Sequence, residues 1–213
     1  FEHMMFKESE NVAEGEFTYL VETNGGQLNA NTGQDRTQYF ETLPSHQLEM
    51  ALFLEADRMR SLVLTQDGLD NQREAVKEEL RGDLSEPYGN TMATVWATAF
   101  DNFAYAHPVI GSMDDLNVAK LEDISAFFSN YYAPNNAALA LVGDVNTRDA
   151  LEKIEHYFGG INSHQIPPNP DLSESQQTQE RRVAIEDPIA KLTRVDVVYK
   201  LPNEKTQAGP AVG

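Results

Sequence analysis

Cysteine is absent from all 213 residues, which removes disulfide scaffolds, thiolate-bound zinc and thiol catalysis together. Any metal site has to use His, Asp and Glu, donors suited to zinc, manganese, magnesium or calcium. Basic residues are scarce: 16 Lys and Arg against 34 Asp and Glu give a formal net charge of −18. That balance argues against nucleic acid as a partner, because a phosphate backbone needs a concentrated basic face. No D-x-D-x-D-G loop is present, which disfavours a calcium module. Long apolar runs are missing too, so no membrane span is expected. No signal peptide is visible, and since the chain does not begin with Met, a targeting segment upstream stays open.

What is present describes a globular chain with 40% hydrophobic residues. Residues 1–23 read as helical. Gly25-Gly26 reads as a turn, because consecutive glycines reach positive φ at little steric cost. Two short extended segments follow, "QLNANTGQ" and the Thr- and aromatic-rich "RTQYFETL". Helices are expected at "SHQLEMALFLEADRMRSLV" with Ser45 as N-cap, at "LDNQREAVKEELRGDL", at "NTMATVWATAF" and at "DISAFFSNYY". The stretch between the last two reads as turns. "TRDALEKIEHYFGG" is a further helix, capped by Thr147. Strands are expected at "NNAALALVGDV", "RRVAIED" and "LTRVDVVYKL", with residues 162–180 as a Pro- and Ser-rich exposed connector. Helices and strands alternate irregularly, which favours an α+β fold over a doubly wound one. Trp96 is expected in the core, and His46, His107, His156 and His164 in turns or on the surface.

The chain opens "FEHMMF". A Glu-His pair heading an apolar helical segment can be the end of an H-x-x-E-H zinc motif, or the mark of a cloning junction. Alone it favours neither. In the motif reading, side chains three and four apart share a helix face, so two histidines meet one metal and the Glu reaches its water. A further ligand can be sought on "LDNQREAVKEELRGDL", where Leu69, Val76 and Leu80 form an apolar stripe. Glu78 points away from that stripe. Glu79 flanks it on the side of Gln72 and is expected to lean inward, where a carboxylate needs a partner or a metal.

These residues, with "NGGQLNANTGQDRTQYF", "NQREAVKEEL", "HPVIGSMDDL" and "FFSNYYAPNNAALALVGDV", resemble the pitrilysin/insulinase zinc metallopeptidases. The resemblance is greatest to bacterial members similar to mitochondrial processing peptidase. In that family a Glu about 76 or 77 residues beyond the second motif His completes the zinc site, and Glu79 follows His3 by 76. The resemblance implies Glu2 as general base, His3 and Glu79 as zinc ligands, and a first His two positions before Phe1. It implies that Leu28, Asn29, Ala30 and Asn31 line an edge to which peptide substrates add as a strand. Gln72 stands where many relatives carry a supporting acid.

The same resemblance implies a mainly antiparallel sheet packed with helices. The expectation is a single α+β peptidase domain over 1–213, truncated at its N-terminus, forming one half of a two-halved clamshell. The second homologous half would lie downstream or on a separate subunit. The chain alone is then expected to be inactive, and its location stays open between a bacterial cytoplasm and a periplasm. The alternative is a non-catalytic structural or partner subunit of a heteromeric peptidase.

Overall fold

A computed structural model describes residues 1–201. The first residues form a 3-10 turn, Glu2–Phe6, followed by β1 (Glu8–Ser9), α1 (Glu16–Thr23), β2 (Gln27–Thr32) and β3 (Thr37–Thr42). A 3-10 turn at Ser45–Gln47 leads into α2 (Leu48–Ser61), then β4 (Leu62–Val63) and the long α3 (Gln66–Ser85). The remaining elements are α4 (Thr91–Ala99), α5 (Met113–Val118), α6 (Leu121–Tyr131), a 3-10 turn Pro134–Asn136 and α7 (Thr147–Phe158). The sheets are small and antiparallel: β1 pairs with β4, and β2 with β3 from Gln27↔Thr42 to Thr32↔Thr37. This is an α+β chain. No helix among the described residues is long and apolar enough to cross a membrane.

The residues fall into two compact units, Phe1–Ala75 with Asp114–Asn169, and Val76–Met113 with the chain from Pro170 on. In the first, Val12, Phe17, Val21 and Leu54 form a buried cluster, with Phe6, Leu28, Leu43 and Phe53 packed against it. Arg58 lies inside this apolar setting at 2% exposure. Its guanidinium sits over three rings, 4.6 Å from Phe17 and Tyr39 and 5.3 Å from Phe6, and pairs with Glu55. A desolvated cation over aromatic faces gains about 2 kcal/mol, which offsets part of the burial penalty. Its neighbour Asp57 is fully buried. It accepts from Ser9 Oγ at 2.6 Å, from Asn11 N at 3.1 Å and from Asn11 Nδ2 at 2.7 Å, and so ties the β1 region to α2. Burial alone would raise the Asp57 pKa; the Ser9, Asn11 and Arg60 donors outweigh it and hold the carboxyl below its usual range.

Several sequence expectations are corrected. Residues 1–23 are not one helix: Gly15 adopts φ 78 and starts a separate α1, while the preceding chain pairs with β4. Gly25-Gly26 is the expected turn; Gly25 has φ 79, and a Cβ on Gly26 would meet Leu43 Cδ2 at 2.4 Å. Ser45 caps nothing, because Pro44 leads into a 3-10 turn first. The α7 cap is Asn146, whose side chain accepts from Arg148 N at 3.0 Å and Asp149 N at 3.1 Å, leaving Thr147 as the first helical residue. A short helix, α5, replaces the expected turns, with Asp114 and Asp115 in its first turn, where negative charge suits the helix dipole.

The three segments 135–145, 181–187 and 192–201 form no ladder among the described residues. An apolar run becomes a strand only beside a partner that takes its backbone groups. Trp96 is half-buried and lines a groove of about 450 Å³ with Met92, Phe100 and Val197–Leu201.

Candidate functional site

The turn Glu2–Phe6 is pinned from below. Met4 and Met5 are buried, and Met4 N donates to Phe1 O at 2.8 Å. Phe1 packs on Tyr132 and Phe127, with ring centres 4.8 and 5.0 Å apart, and Phe6 meets Phe17 edge-on. Anchored on both sides, the turn presents Glu2 and His3, both half-buried, to different elements.

Glu2 reaches the hairpin. Its carboxylate accepts a hydrogen bond from the Thr32 hydroxyl at the end of β2, and Thr32 Oγ lies 3.2 Å from Thr37 Oγ on β3. His3 reaches α3, with its Nδ1 3.2 Å from Gln72 Oε1. The Gln72 amide is oriented from its other end, since Nε2 donates to Asn71 Oδ1 at 2.8 Å. An amide oxygen can only accept, so Nδ1 carries the proton and the lone pair of a neutral ring resides on Nε2. The α3 helix is held in turn by Arg73, which donates to Leu116 O at 2.9 Å and Ala119 O at 2.6 Å.

Gln72 and Glu79 are seven residues apart and share one side of α3 at about 100° per residue. Glu79 is exposed, contrary to the inward lean expected of it. The buried stripe of this helix is narrow, Leu69 and Leu80 alone, and Glu79 stands about 100° round from it. Glu78 is exposed as expected and pairs with Arg81.

In the hairpin, Leu28 and Ala30 are half-buried while Asn29 and Asn31 face outward. Among the described residues β2 pairs only with β3, so its other edge carries no strand. The Ala30 N–H is taken by Asn29 Oδ1 at 2.8 Å, a local bond that an incoming strand would replace. Beneath the hairpin, Tyr39 and Tyr132 share a hydrogen bond of 2.7 Å. Burial raises both phenol pKa values. Glu41 on β3 is pushed up to about 8 by burial and by Glu55 beside it.

His3, Glu2 and Glu79 are donor types that zinc takes, and His3 Nδ1 is hydrogen-bonded to Gln72, as the second nitrogen of a metal-ligating histidine ordinarily is. Among the described residues no group of three or more His, Asp or Glu side chains lies close enough to hold a metal. His107 is a turn histidine, donating from Nδ1 to Pro108 O at 3.0 Å, and His46, His156 and His164 are exposed. Thr32 was not singled out from sequence; the signal was its register, directly opposite Thr37 at the hairpin end.

Comparison with known proteins gives a consistent result. The family model described as insulinase (peptidase family M16) matches residues 1–112, and the one described as peptidase M16 inactive domain matches residues 119–211. The chain is 34% identical over 204 residues to the zinc protease PqqE of Helicobacter pylori, covering 94% of this chain and 46% of that protein. A solved protease structure from Helicobacter pylori matches with a TM-score of 0.79 at 35% identity, over 83% of this chain and 43% of that one. The first half of the periplasmic protease PqqL from Escherichia coli matches with a TM-score of 0.73 over 83% of this chain and 39% of that one. At 20% identity that last likeness shows the fold alone. The chain thus spans less than half the length of these relatives.

Proposed function

Because the chain belongs to the insulinase family of peptidases, family M16, we propose that it forms the metal-binding half of a zinc endopeptidase acting on extended peptides. His3 and Glu79 are two of the ligands, and the third is the histidine that the H-x-x-E-H pattern sets two positions ahead of Phe1. Zinc, when bound at such a site, polarises the scissile carbonyl and lowers the pKa of water. The Glu2 carboxylate accepts the proton of the attacking water and returns it to the leaving amine. The Gln72 oxygen holds the proton on His3 Nδ1 and keeps the ring turned. Leu28 to Asn31 offer backbone donors and acceptors to a peptide lying along β2, which gives affinity with little sequence demand. A second homologous half completes the substrate contacts, and residues 1–213 act as one peptidase domain within it.

The observation that supports this reading is the divergence of two adjacent side chains from one turn. Glu2 is held at the end of the open-edged strand, while His3 is held on the helix that carries Glu79 two turns further along. This divergence is what is expected of a base beside a peptide-accepting edge and a ligand on the neighbouring helix.

In the intact parent protein, Glu2→Gln should abolish peptide hydrolysis with zinc still bound, since the amide keeps the shape and cannot take the proton. Glu79→Gln should lower zinc content, and Glu78→Gln should leave it unchanged. Near-normal turnover by the first variant, or the reverse order of zinc loss in the other two, would overturn the assignment. The second reading, a non-catalytic partner subunit, is favoured by Gln72 standing where relatives carry an acid. It predicts no hydrolysis from the intact wild-type protein.

A further inference from the structure

The hairpin end that faces Glu2 carries two hydroxyls in series. Thr32 and Thr37 are the last register pair before the turn, which Gly33 N closes on Arg36 O at 2.8 Å. A carboxylate can only accept, so the Thr32 hydroxyl proton goes to Glu2 Oε2. Thr37 Oγ lies 3.2 Å from the Thr32 oxygen and also bonds the Tyr132 hydroxyl, so the direction that is fixed is that of Thr32 to Glu2. Both residues are β-branched, with χ1 restricted by the strand backbone, so the positions of the hydroxyl oxygens are narrowed before any ligand arrives, and the proton turns to its acceptor. Glu2 by contrast has three rotatable side-chain bonds and sits on a five-residue 3-10 turn.

We propose that Thr32 is a positioning residue: its hydroxyl selects the Glu2 rotamer and links the orientation of that carboxylate to the strand on which peptide is laid. The inference rests on the reading of Glu2 as general base. A peptide pairing along β2 stiffens the strand that ends at Thr32, so substrate addition and base orientation reinforce each other. The contact is 30 residues apart in sequence and joins the turn to the hairpin. It acts on the reacting geometry and not on the strand edge, so its loss should appear in the chemical step.

The test uses the intact parent protein with an unstructured reporter peptide, and compares Thr32→Val, Thr32→Ser and Glu2→Gln. Thr32→Val keeps shape and branching but removes the donor. It should lower kcat about tenfold, with KM within about twofold and zinc content unchanged. Thr32→Ser retains the hydroxyl and should return kcat to within about threefold of wild type. If Glu2→Gln is inactive while Thr32→Val turns over normally, the positioning role is wrong and the base assignment stands. A rise in KM at constant kcat would make Thr32 a peptide contact, and failure of serine to rescue would make its role packing; either outcome overturns the proposal. If Glu2→Gln remains active, the base reading itself fails, whatever Thr32→Val does.

Discussion

Every buried apolar residue among those described, save Leu80, belongs to the unit built from Phe1–Ala75 and Asp114–Asn169. There the hairpin, α1 and α2 close over Phe17, Val21 and Leu54, and even a cation is enclosed by rings. In the unit from Val76–Met113 and the chain beyond Pro170, carboxylates hold backbone amides instead. Glu174 accepts from Asn102 N at 2.6 Å and Asp101 N at 3.1 Å, and pairs with Lys200 at 3.0 Å. Asp187 accepts from Tyr88 N at 2.7 Å, Ile189 N at 2.9 Å and Ala190 N at 3.0 Å. Tyr88 is held at φ 66, in the left-handed region, by this amide bond and by its hydroxyl on Leu192 O at 2.7 Å. One unit resists water by excluding it, and the other by offering its amides better acceptors.

The largest test of this contrast is Leu54→Ala. Removing a fully buried side chain from the enclosed unit should cost about 3 kcal/mol, read by chemical denaturation of the hairpin unit. A loss under about 1 kcal/mol would mean that the cluster is not the stabilising element.

A smaller and local effect is expected from Asp187→Asn. Hydrogen exchange should speed at Tyr88, Ile189 and Ala190 and remain unchanged at Val21 and Leu54. Hydrogen bonds from Tyr88, Ile189 and Ala190 hold the Asp187 pKa below its usual value, and the Asn102 and Asp101 amides do the same for Glu174. Both therefore stabilise above their ordinary pKa, and lose that contribution as pH falls through the lowered folded value. Acid should speed exchange at Tyr88, Ile189 and Ala190, and at Asn11, where the lowered Asp57 carboxyl of the enclosed unit is the acceptor. Unchanged exchange at these amides on acidification would remove the role given to the carboxylates.

The smallest effect has the opposite sign. Glu41, raised from 4.5 to about 8 by burial and by Glu55 and opposed by Arg58, favours the fold when protonated. Its contribution is full below its ordinary pKa and fades as pH rises toward about 8. Glu41→Gln, neutral at every pH, should flatten the pH dependence of hairpin-unit stability across that window. An unchanged pH profile would place the coupling elsewhere.

What the sequence made legible follows the range of the interactions. The helices α2, α3, α4 and α7 rest on apolar spacing within one segment, the start of β2 on Gly25-Gly26, and β3 on Thr and aromatic residues. Each signal lies within a few turns of the element it creates. The breaks were harder. Gly15 at positive φ splits what composition reads as one helix, and Asn146 displaces Thr147 as cap because its side-chain oxygen accepts from two backbone donors. The segments 135–145, 181–187 and 192–201 carry strand composition, yet a strand needs a partner and composition names none. At the proposed site, spacing singled out Glu2, His3 and Glu79 as candidates. It could not name the partners of the first two: Thr32 is 30 residues from Glu2 and Gln72 is 69 from His3. The outward set of Glu79 depends on how narrow the buried stripe of α3 is, which periodicity overestimates.

The apolar segment at 192–201 bears on the behaviour of the chain in a concentrated solution. Val195, Val197 and Tyr199 are 79, 72 and 80% exposed, in a β-branched and aromatic run. The charges that interrupt it are engaged locally, Arg194 with Asp196 at 2.9 Å and Lys200 with Glu174 at 3.0 Å. A short β-prone stretch of this kind templates intermolecular cross-β stacking. Long-range repulsion from the net charge of −18 opposes close approach of two copies, but its reach falls from about 30 Å at 0.01 M salt to about 8 Å at physiological ionic strength. Added salt therefore shortens the repulsion that separates the 192–201 segments of two copies, and turbidity rising with salt would be its sign.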